Sequence, residues 1–359
     1  MPLLTIGIPT FNGGFNFAEL FESIKNLGLN ESDYEVLVVD NNSNDDTDEV
    51  INGFKTSMPN LRYHKNSHNI GRVENWDKVI ELTQGKYLIH MNVNDRFMKF
   101  DVKKYLNYMD QHTEVSFVLT DILNVFNGFE STYPNWKESG RLSFHDYIEK
   151  TFLDTNLLEF HSLGVLHQHI FRTDYITNHN ITFDPLLPRT TDRVFVADIL
   201  KLNSDLFYYT NEVMVRWQIN GSRFHNNIHL NYKMFDMNML WLNEYKANLK
   251  IAEMSAISLK DFLKGQIIWA KFYDFRYKMR KMQKRLGQKI GDVALEEVTA
   301  DLYCYYLYTQ ARLNDIKIGS YYGSATALFK VLRMPLKKLG LVKEVPRTLQ
   351  GIIKAGDVV

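Results

Sequence analysis

The sequence predicts an α/β protein with a mostly parallel sheet flanked by helices, followed by a helical C-terminal region. Three apolar strands in the first hundred residues, 3–8, 35–39 and 86–91, each end in a cluster of polar side chains. Helical patterns separate them, and this β-α-β order with short connections is typical of a parallel sheet. Because such sheets bind ligands at the carboxyl ends of their strands, the polar clusters predict a site at that edge.

The remaining elements follow from apolar spacing and breaker residues. Phe17 to Leu27 has helical spacing, and the acids from Asp46 to Glu49 suit the start of another helix. A strand over 61–64 precedes a helix that includes Trp76, Val79, Ile80 and Leu82 and ends near Gly85. Further on we expect helices over 102–109 and 194–202, a mixed insertion over 126–160, and strands over 115–120, 165–171, 206–209 and 213–217.

The first strand is not followed by the glycine-rich turn of dinucleotide-binding folds. Pro9-Thr10-Phe11-Asn12 stands there, and Asn12-Gly13-Gly14 lacks the required spacing. We therefore expect carboxylates and amides to hold a nucleotide. Asp40 can accept hydrogen bonds from a uracil imide or a ribose hydroxyl, while Phe11 offers a stacking surface. As a strand-end carboxylate, Asp40 is expected to add little to the core; simple turn capping is the alternative.

A phosphate-binding element is predicted after Asn69. Gly71 permits close backbone approach, and Arg72 and Asn75 would lie on the first turn of a helix. A helix N-terminus favours anions, so this turn suits a diphosphate. A plain surface Arg and an ordinary first-turn Asn are the alternative.

Four motifs together resemble the family-2 glycosyltransferases of the GT-A fold. They are Pro-Thr-Phe-Asn after the first strand, Asp40 to Thr47, Asn69-Ile70-Gly71 with Asn75, and residues 92–95 in place of the family's Asp-x-Asp motif. The resemblance covers residues 3–224. It implies a donor site made of Pro9, Thr10, Phe11, Asn12, Asp40, Asn42, Gly71, Arg72, Asn75, Asn92, Val93 and Asn94.

The metal-binding motif of the family is altered in this chain. In the family the last Asp of Asp-x-Asp binds Mn²⁺ or Mg²⁺ between the two phosphates, but here Asn92-Val93-Asn94 is followed by Asp95. An amide oxygen can bind a hard cation but contributes no charge. We expect a weakly held divalent cation at Asn94 and Asp95. A cation held mostly by the donor's own phosphates, a metal-independent enzyme and a simple capped strand end are the alternatives.

The resemblance places the general base in the second half of the domain. Thr182 to Leu187 is similar to the family's Gly-Phe-Asp turn, and Thr191-Asp192 stands where the family has Glu-Asp. Asp192 would deprotonate the acceptor hydroxyl, and a helix cap is the alternative.

Acceptor or phosphate contacts are expected from basic residues nearby. Arg216-Trp217-Gln218 resembles the family's Tyr-Arg-x-His element, with Gln218 where His is usual and His225 close enough to replace it. His167, His169 and His161 are candidates for lining the acceptor pocket, although isolated histidines are more often structural.

Composition limits the partners and the compartment. The 42 basic and 42 acidic residues balance, so no net field favours nucleic acid. A single cysteine, Cys304, fits a reducing cytoplasm. We find no leader with a basic flank, and no apolar run approaches the ~18 residues needed to cross a bilayer. We therefore expect a cytoplasmic protein, with peripheral attachment to the inner face of the cell membrane as an alternative.

Three regions are predicted along the chain. Residues 1–97 form the nucleotide-sugar-binding half, 98–225 the acceptor-binding half, and 226–359 a helical region with long helices over 259–286 and 293–313. Residues 326–354 intersperse Lys and Arg with apolar residues, which is typical of a helix on an anionic membrane surface or docked on its own domain. The aromatic helices could equally form a homodimer interface.

The sequence therefore predicts an inverting glycosyltransferase. We expect it to move a sugar from a nucleotide donor, a UDP-sugar, to a hydroxyl of a growing surface polysaccharide or lipid-linked glycan. The altered Asp-x-Asp motif favours a rival, a non-catalytic domain that binds a sugar nucleotide or acts as a scaffold. The presence of both Asp40 and Asp192 favours the enzyme, because a scaffold needs neither.

Overall fold

The computed structural model describes residues 2–126, 129–132, 136–148, 165–187, 191–202, 206–219, 246–255, 257–258, 260–261 and 263. The chain divides into two compact units, one of Met1–Thr151 and Leu158–Asn226, the other of Phe152–Leu157 and Asn227–Val359. In the second unit a helix over residues 246–254 is described. Nearly all of the helices predicted beyond residue 258 lie outside the described residues. Within the described part of the chain, no helix is long and apolar enough to cross a membrane.

The first half of the first unit alternates strands with helices. Its elements are β1 (Leu4–Thr10), α1 (Phe17–Lys25), β2 (Tyr34–Asp40), α2 (Thr47–Phe54), β3 (Leu61–Lys65), α3 (Arg72–Leu82) and β4 (Tyr87–His90). β1 pairs in parallel with β2 and β4, and β2 pairs in parallel with β3. The predicted α/β fold with a parallel sheet is therefore confirmed.

The second half extends the same sheet with mixed pairing. Its elements are β5 (Arg96–Phe97), α4 (Val102–Gln111), β6 (Val115–Phe126), β7 (Phe129–Thr132), β8 (Gly140–Ser143), α5 (Phe144–Ile148), β9 (His169–Arg172), α6 (Thr173–Thr177), α7 (Thr191–Leu202) and β10 (Leu206–Ile219). The strand order is β3-β2-β1-β4-β9-β6-β10-β5, with β7 on β6 and β8 on β10. β9 lies antiparallel between β4 and β6.

Two strand predictions need correction. The strand expected over 165–171 begins only at His169, because Leu166–Gln168 forms a 3-10 turn and pairing with β6 starts at His169. The strands expected over 206–209 and 213–217 are one strand, β10. A bulge between Thr210 and Val213 shifts its register against β6, which explains why the apolar alternation breaks there.

The core covers both faces of the sheet. Leu4, Ile6 and Ile8 of β1 belong to one buried cluster with the apolar faces of α1, α2 and α4. α3 packs on the opposite face, where a Cβ at Gly7 would come within 2.3 Å of Val79 Cγ1. Glycine at this position therefore lets α3 approach the centre of the sheet closely. This packing fixes the strand ends on which the candidate site is built.

Candidate active site

The carboxyl ends of the parallel strands meet at one edge of the sheet. Thr10 pairs with Asp40 and Asp40 with Lys65, so β1, β2 and β3 end level with one another. On the other side of β1, His90 at the end of β4 lies opposite Gly7. The loops over 11–16, 41–46, 66–71 and 91–95 therefore border a common edge, which is where the sequence predicts the polar clusters.

The loops after β1 and β2 are joined by hydrogen bonds. Backbone amides of the first loop donate to side chains of the second in the pairs Asn12–Ser43 (2.8 Å), Gly13–Thr47 (3.2 Å) and Gly14–Asp45 (3.4 Å). In return, Asn12 Oδ1 accepts from Asn44 N at 3.0 Å. The Ser-x-Asp-x-Thr run thus holds the Pro-Thr-Phe-Asn turn, and the predicted donor residue Asn12 takes part in these hydrogen bonds.

Three predicted donor residues lie next to these hydrogen-bonded loops and have exposed or unpartnered groups that a ligand could contact. Phe11 is 50% exposed, and Asn42 is exposed with a left-handed backbone φ of 63°. Thr10 Oγ1 is buried and has no hydrogen-bond partner among the described residues. Buried hydroxyls are nearly always hydrogen-bonded in native proteins. An exposed ring beside such a hydroxyl suits a flat polar ligand such as a nucleobase.

Asp40 is fully buried at the end of β2. Its carboxylate accepts from Ser43 N at 2.9 Å and from Tyr63 Oη at 2.8 Å, with the Ser43 hydroxyl as a third donor. Lys65 Nζ lies 3.9 Å away. The expectation that Asp40 adds little to the core is wrong, because a buried charge must be held by donors. In this structure Asp40 organises the loop after β2, and its contact with a nucleotide stays a prediction.

Tyr63 joins this carboxylate to a second one. Its hydroxyl also bonds to Asp48, which in turn pairs with Lys65. Burial, with the bonds to Asp48 and Asp40, raises the pKa of Tyr63, so its hydroxyl keeps its proton and acts as a donor. This donor role on β3 is not recognisable from the sequence, because Tyr63 lies 23 positions after Asp40 and outside the motif.

Asn41 fastens the loop between β3 and α3 to the end of β2. Its Nδ2 donates to Asn69 Oδ1 at 2.8 Å and to Gly71 O at 3.0 Å. Its Oδ1 accepts from Ile70 N at 2.8 Å. Asn41 is 3% exposed, so the loop is held by a buried side-chain amide whose nitrogen donates and whose oxygen accepts hydrogen bonds. This residue was absent from the predicted donor set, although its place between Asp40 and Asn42 gave a signal.

Asn75 belongs to the same buried network. Its Oδ1 accepts from Asn66 Nδ2 at 2.8 Å, and its Nδ2 donates to Val39 O at 3.1 Å. With 3% exposure it is turned into the domain. Asn75 therefore fixes the start of α3 and does not lie on the donor-facing surface, in contrast to the expectation from sequence.

Gly71 and Arg72 begin α3 as expected. Gly71 has a φ of 101°, a conformation that suits glycine and turns the chain into the helix. Arg72 is exposed on the first turn, with its guanidinium carbon 4.7 Å from the centroid of the Trp76 ring. A positive side chain at an exposed helix N-terminus is suited to anions.

Asn94 and Asp95, the predicted metal ligands, both use their oxygens within the protein. Asn94 Oδ1 accepts from Asn16 Nδ2 at 2.7 Å. Asp95 is 1% exposed and accepts from Asn92 Nδ2 and from Gln218 N, each at 3.0 Å. Among the residues that the structure describes, no three His, Cys, Asp or Glu side chains are grouped to hold a metal. This donor set does not fit a divalent cation.

His167 lies beside Asp95 in the interior. Asp95 Oδ2 is 3.4 Å from His167 Nδ1, and both side chains are 2% exposed. Burial raises the pKa of Asp95 to about 7 and lowers the pKa of His167 to about 3. Both shifts favour the neutral forms, so this contact is a polar one and not an ion pair.

The other predicted acceptor or phosphate residues divide into three groups. His169 is buried, stacked on Phe171 at 5.1 Å, and burial lowers its pKa to about 3, so it lines the core and not an open pocket. Arg216 donates to Gln218 Oε1 at 2.9 Å and pairs with Glu130. His161 and His225 lie outside the described residues.

Asp192 lies on the first turn of α7 and is half-buried. Its Oδ1 accepts from Arg193 N at 3.0 Å. Thr191 Oγ1 accepts from Asp184 N at 2.5 Å, which ties the preceding turn to the helix start. Asp192 thus has a local hydrogen bond at the start of α7, and its role as the general base stays a prediction.

Aromatic contacts connect the start of α7 to the end of β4. Phe195, one turn after Asp192, stacks on Phe183 with ring centroids 4.1 Å apart. Phe183 in turn contacts the ring of His90 at 5.9 Å. Phe183 thus links the helix that carries Asp192 to the strand that leads into loop 92–95.

Residues 5–172 match the model of glycosyl transferase family 2. This stretch runs from β1 through the end of β9 and includes all four loops of the candidate site. This part of the chain is a family-2 glycosyltransferase domain of the GT-A fold.

Three similar proteins place the domain among characterised and uncharacterised relatives. The poly(ribitol-phosphate) beta-N-acetylglucosaminyltransferase TarP of Staphylococcus aureus is 22% identical, over 70% of this chain and 73% of TarP. An uncharacterized glycosyltransferase, MJ1057 of Methanocaldococcus jannaschii, is 21% identical over 41% of this chain, and the match spans 53% of its length. The structure of S. aureus TarS residues 1–349 with UDP-GlcNAc aligns at a TM-score of 0.54 and 14% identity, covering 89% of this chain and 93% of that one. At this identity the last comparison shows the fold alone.

Proposed function

We propose that this protein is an inverting glycosyltransferase that moves a sugar from a nucleotide donor, a UDP-sugar, to a hydroxyl of a growing cell-surface polymer. The observation that carries the proposal is the placement of the four loops at one sheet edge, with Phe183 linking the α7 helix of Asp192 to the strand that enters the last loop. The family-2 match over residues 5–172 supports it, as do relatives named as transferases that act on poly(ribitol-phosphate).

The donor would bind across the strand ends. Phe11 stacks on the base, and the unpartnered hydroxyl of Thr10 bonds to a polar group of the nucleoside. Arg72, on the first turn of α3, meets the diphosphate, and the helix dipole adds to its attraction. Asn41 holds the loop that leads to Arg72, and Asp40 holds Ser43, which in turn bonds to the loop after β1.

Transfer would then be a single displacement. The acceptor oxygen attacks the anomeric carbon while Asp192 takes its proton, and the bond from that carbon to the UDP oxygen breaks on the opposite face. The electron pair leaves with UDP, and the configuration at the anomeric carbon is inverted. A positioned general base typically contributes about 10²- to 10⁴-fold in rate.

A second candidate is a non-catalytic subunit that binds a sugar nucleotide or acts as a scaffold. Asn92 and Asn94, in place of the acids of the family motif, favour it. A panel of UDP, GDP and CDP in thermal-shift measurements, followed by assay of UDP release from UDP-sugars with cell-wall polymer acceptors, distinguishes the two. We expect UDP to raise the melting temperature and an acceptor to accelerate UDP release. Binding without acceptor-dependent release would favour the scaffold, and no shift with any nucleotide would refute both donor-binding proposals.

Attachment to an anionic membrane and a homodimer stay predictions. Both rest on residues 226–359, and segment 326–354 lies outside the described residues.

A further inference from the structure

The loop over residues 92–95, between β4 and β5, has its oxygen atoms bonded within the protein. Asn92 O accepts from Asp95 N at 3.2 Å, and Asn94 Oδ1 accepts from Asn16 Nδ2 at 2.7 Å. Both oxygens of the Asp95 carboxylate accept as well, from Gln218 N and Asn92 Nδ2. A cation that used these oxygens would have to share them with bonds that already hold the loop.

The one carboxylate of the loop is turned away from its surface. The Asp95 side chain is 2% exposed and contacts His167, which is equally buried. Loop 92–95 therefore offers neutral amides, and no anionic group, on its accessible side. Hard divalent cations depend on charged oxygen ligands for their affinity, so this side is a poor site for Mn²⁺ or Mg²⁺.

Arg96 holds the same loop through hydrogen bonds to its backbone. Its Nη1 donates to Val93 O at 3.0 Å and to Asp95 O at 2.7 Å. Its Nη2 pairs with Glu19 at 2.9 Å, and the Arg96 side chain is only 16% exposed. The guanidinium thus occupies two more oxygens, and its charge is compensated by Glu19. Arg96 therefore fastens the loop without adding a net charge to it.

We propose that this protein binds the diphosphate of its donor without a divalent cation, and that loop 92–95 is a neutral platform fastened by Asn16 and Arg96. This inference rests on the proposed donor-binding function. It goes beyond that function, because it states which groups bind the diphosphate: amide groups and the protein's own basic side chains.

Calorimetry of the full chain with UDP, once with a chelator and once with Mn²⁺, tests the proposal. We expect the two dissociation constants to agree within about threefold. Asn94→Asp places a charged oxygen on the accessible side of the loop, so in this variant Mn²⁺ should tighten UDP binding by about fivefold or more. Asn52→Asp is the control, because it makes the same charge change at an exposed position of α2.

A loss of about tenfold or more in the affinity of the native protein on chelation would overturn the proposal. So would a stoichiometric Mn²⁺ signal in electron paramagnetic resonance of the native protein with UDP, a measurement that does not depend on the folding of any variant. If Asn94→Asp folds and gains no Mn²⁺ dependence, the assignment of this loop as the cause is wrong. If the native protein binds no nucleoside diphosphate in either buffer, the proposed function itself fails.

Discussion

The ring of His90 packs edge-on against Trp76, with the ring centroids 5.4 Å apart. Among the described residues, neither ring nitrogen of His90 has a hydrogen-bond partner in another residue. Burial, and secondarily the neighbouring His167, lowers the pKa of His90 to about 3. His90 therefore lies neutral within an aromatic cluster directly before loop 92–95.

We expect the free energy of unfolding to decrease as the pH falls below about 6.5. The unfolded state binds a proton to each histidine near its usual pKa of 6.5, whereas His90, His167 and His169 in the folded state take one only near pH 3. The contribution is fully present above pH 6.5 and is lost on acidification. Asp95, whose folded pKa is raised to about 7, acts in the opposite sense, since its contribution falls as the pH rises towards 7.

His90→Phe tests the origin of this pH dependence. Phenylalanine keeps the ring contacts and cannot bind a proton. The variant should therefore lose up to about 1.4 kcal/mol per pH unit of the native slope between about pH 6 and about pH 4.5 in urea unfolding. His68→Phe, the same change at an exposed position, is the matched control. Identical slopes for the native protein and His90→Phe would show that His90 does not titrate as its burial predicts.

Asp192→Asn should abolish transfer with little change in stability or donor affinity. Asparagine can accept the hydrogen bond from Arg193 N but cannot take a proton from an acceptor. The expected loss is about 10²- to 10⁴-fold in turnover, measured as UDP release with an acceptor. Asp174→Asn, at an exposed acid in the first turn of α6, is the matched control. Near-normal turnover of Asp192→Asn would mean that another group is the base.

Asp40→Ala should reduce both stability and UDP affinity. It leaves Ser43 N without its buried acceptor, which typically costs about 1–3 kcal/mol, and leaves Tyr63 Oη with Asp48 as its acceptor. Tyr63→Phe removes one donor and keeps the carboxylate, so it separates loss of the network from loss of the acid. If Asp40 contacts the nucleotide, only Asp40→Ala should weaken UDP binding in calorimetry beyond the loss in Tyr63→Phe. Equal losses would limit Asp40 to holding the loop.

Asn41→Ala should loosen the loop that leads to Arg72. The variant loses bonds to Asn69 Oδ1, Gly71 O and Ile70 N, so we expect faster amide hydrogen exchange over residues 66–72 and weaker UDP binding. Ser67→Ala, at an exposed position in the same loop, is the control. Native exchange rates in Asn41→Ala would contradict the role given to this amide.

The order of elements was predictable from sequence because it depends on local spacing. The helical spacing of Phe17, Leu20, Phe21 and Ile24 matches four side chains that are all buried in α1. The polar ends of β1, β2 and β4 likewise predict the functional edge, since parallel strands must place their carboxyl ends together. Where apolar alternation was interrupted, as in β10, spacing alone divided one bulged strand into two.

The sequence by itself determined the fold class, the edge that carries the site, and the replacement of the family's metal-binding acids by Asn92 and Asn94. Only the tertiary structure decided which polar groups face inward. Asn16 reaches Asn94 across 78 positions of the chain, and Gln218 reaches Asp95 across 123. Local patterns report on periodicity and turns, whereas a hydrogen bond between distant segments depends on how the whole sheet is assembled. The sequence therefore predicted Asp95 and Asn75 as ligand-binding residues, whereas in the folded chain both are buried and hydrogen-bonded to other parts of the protein.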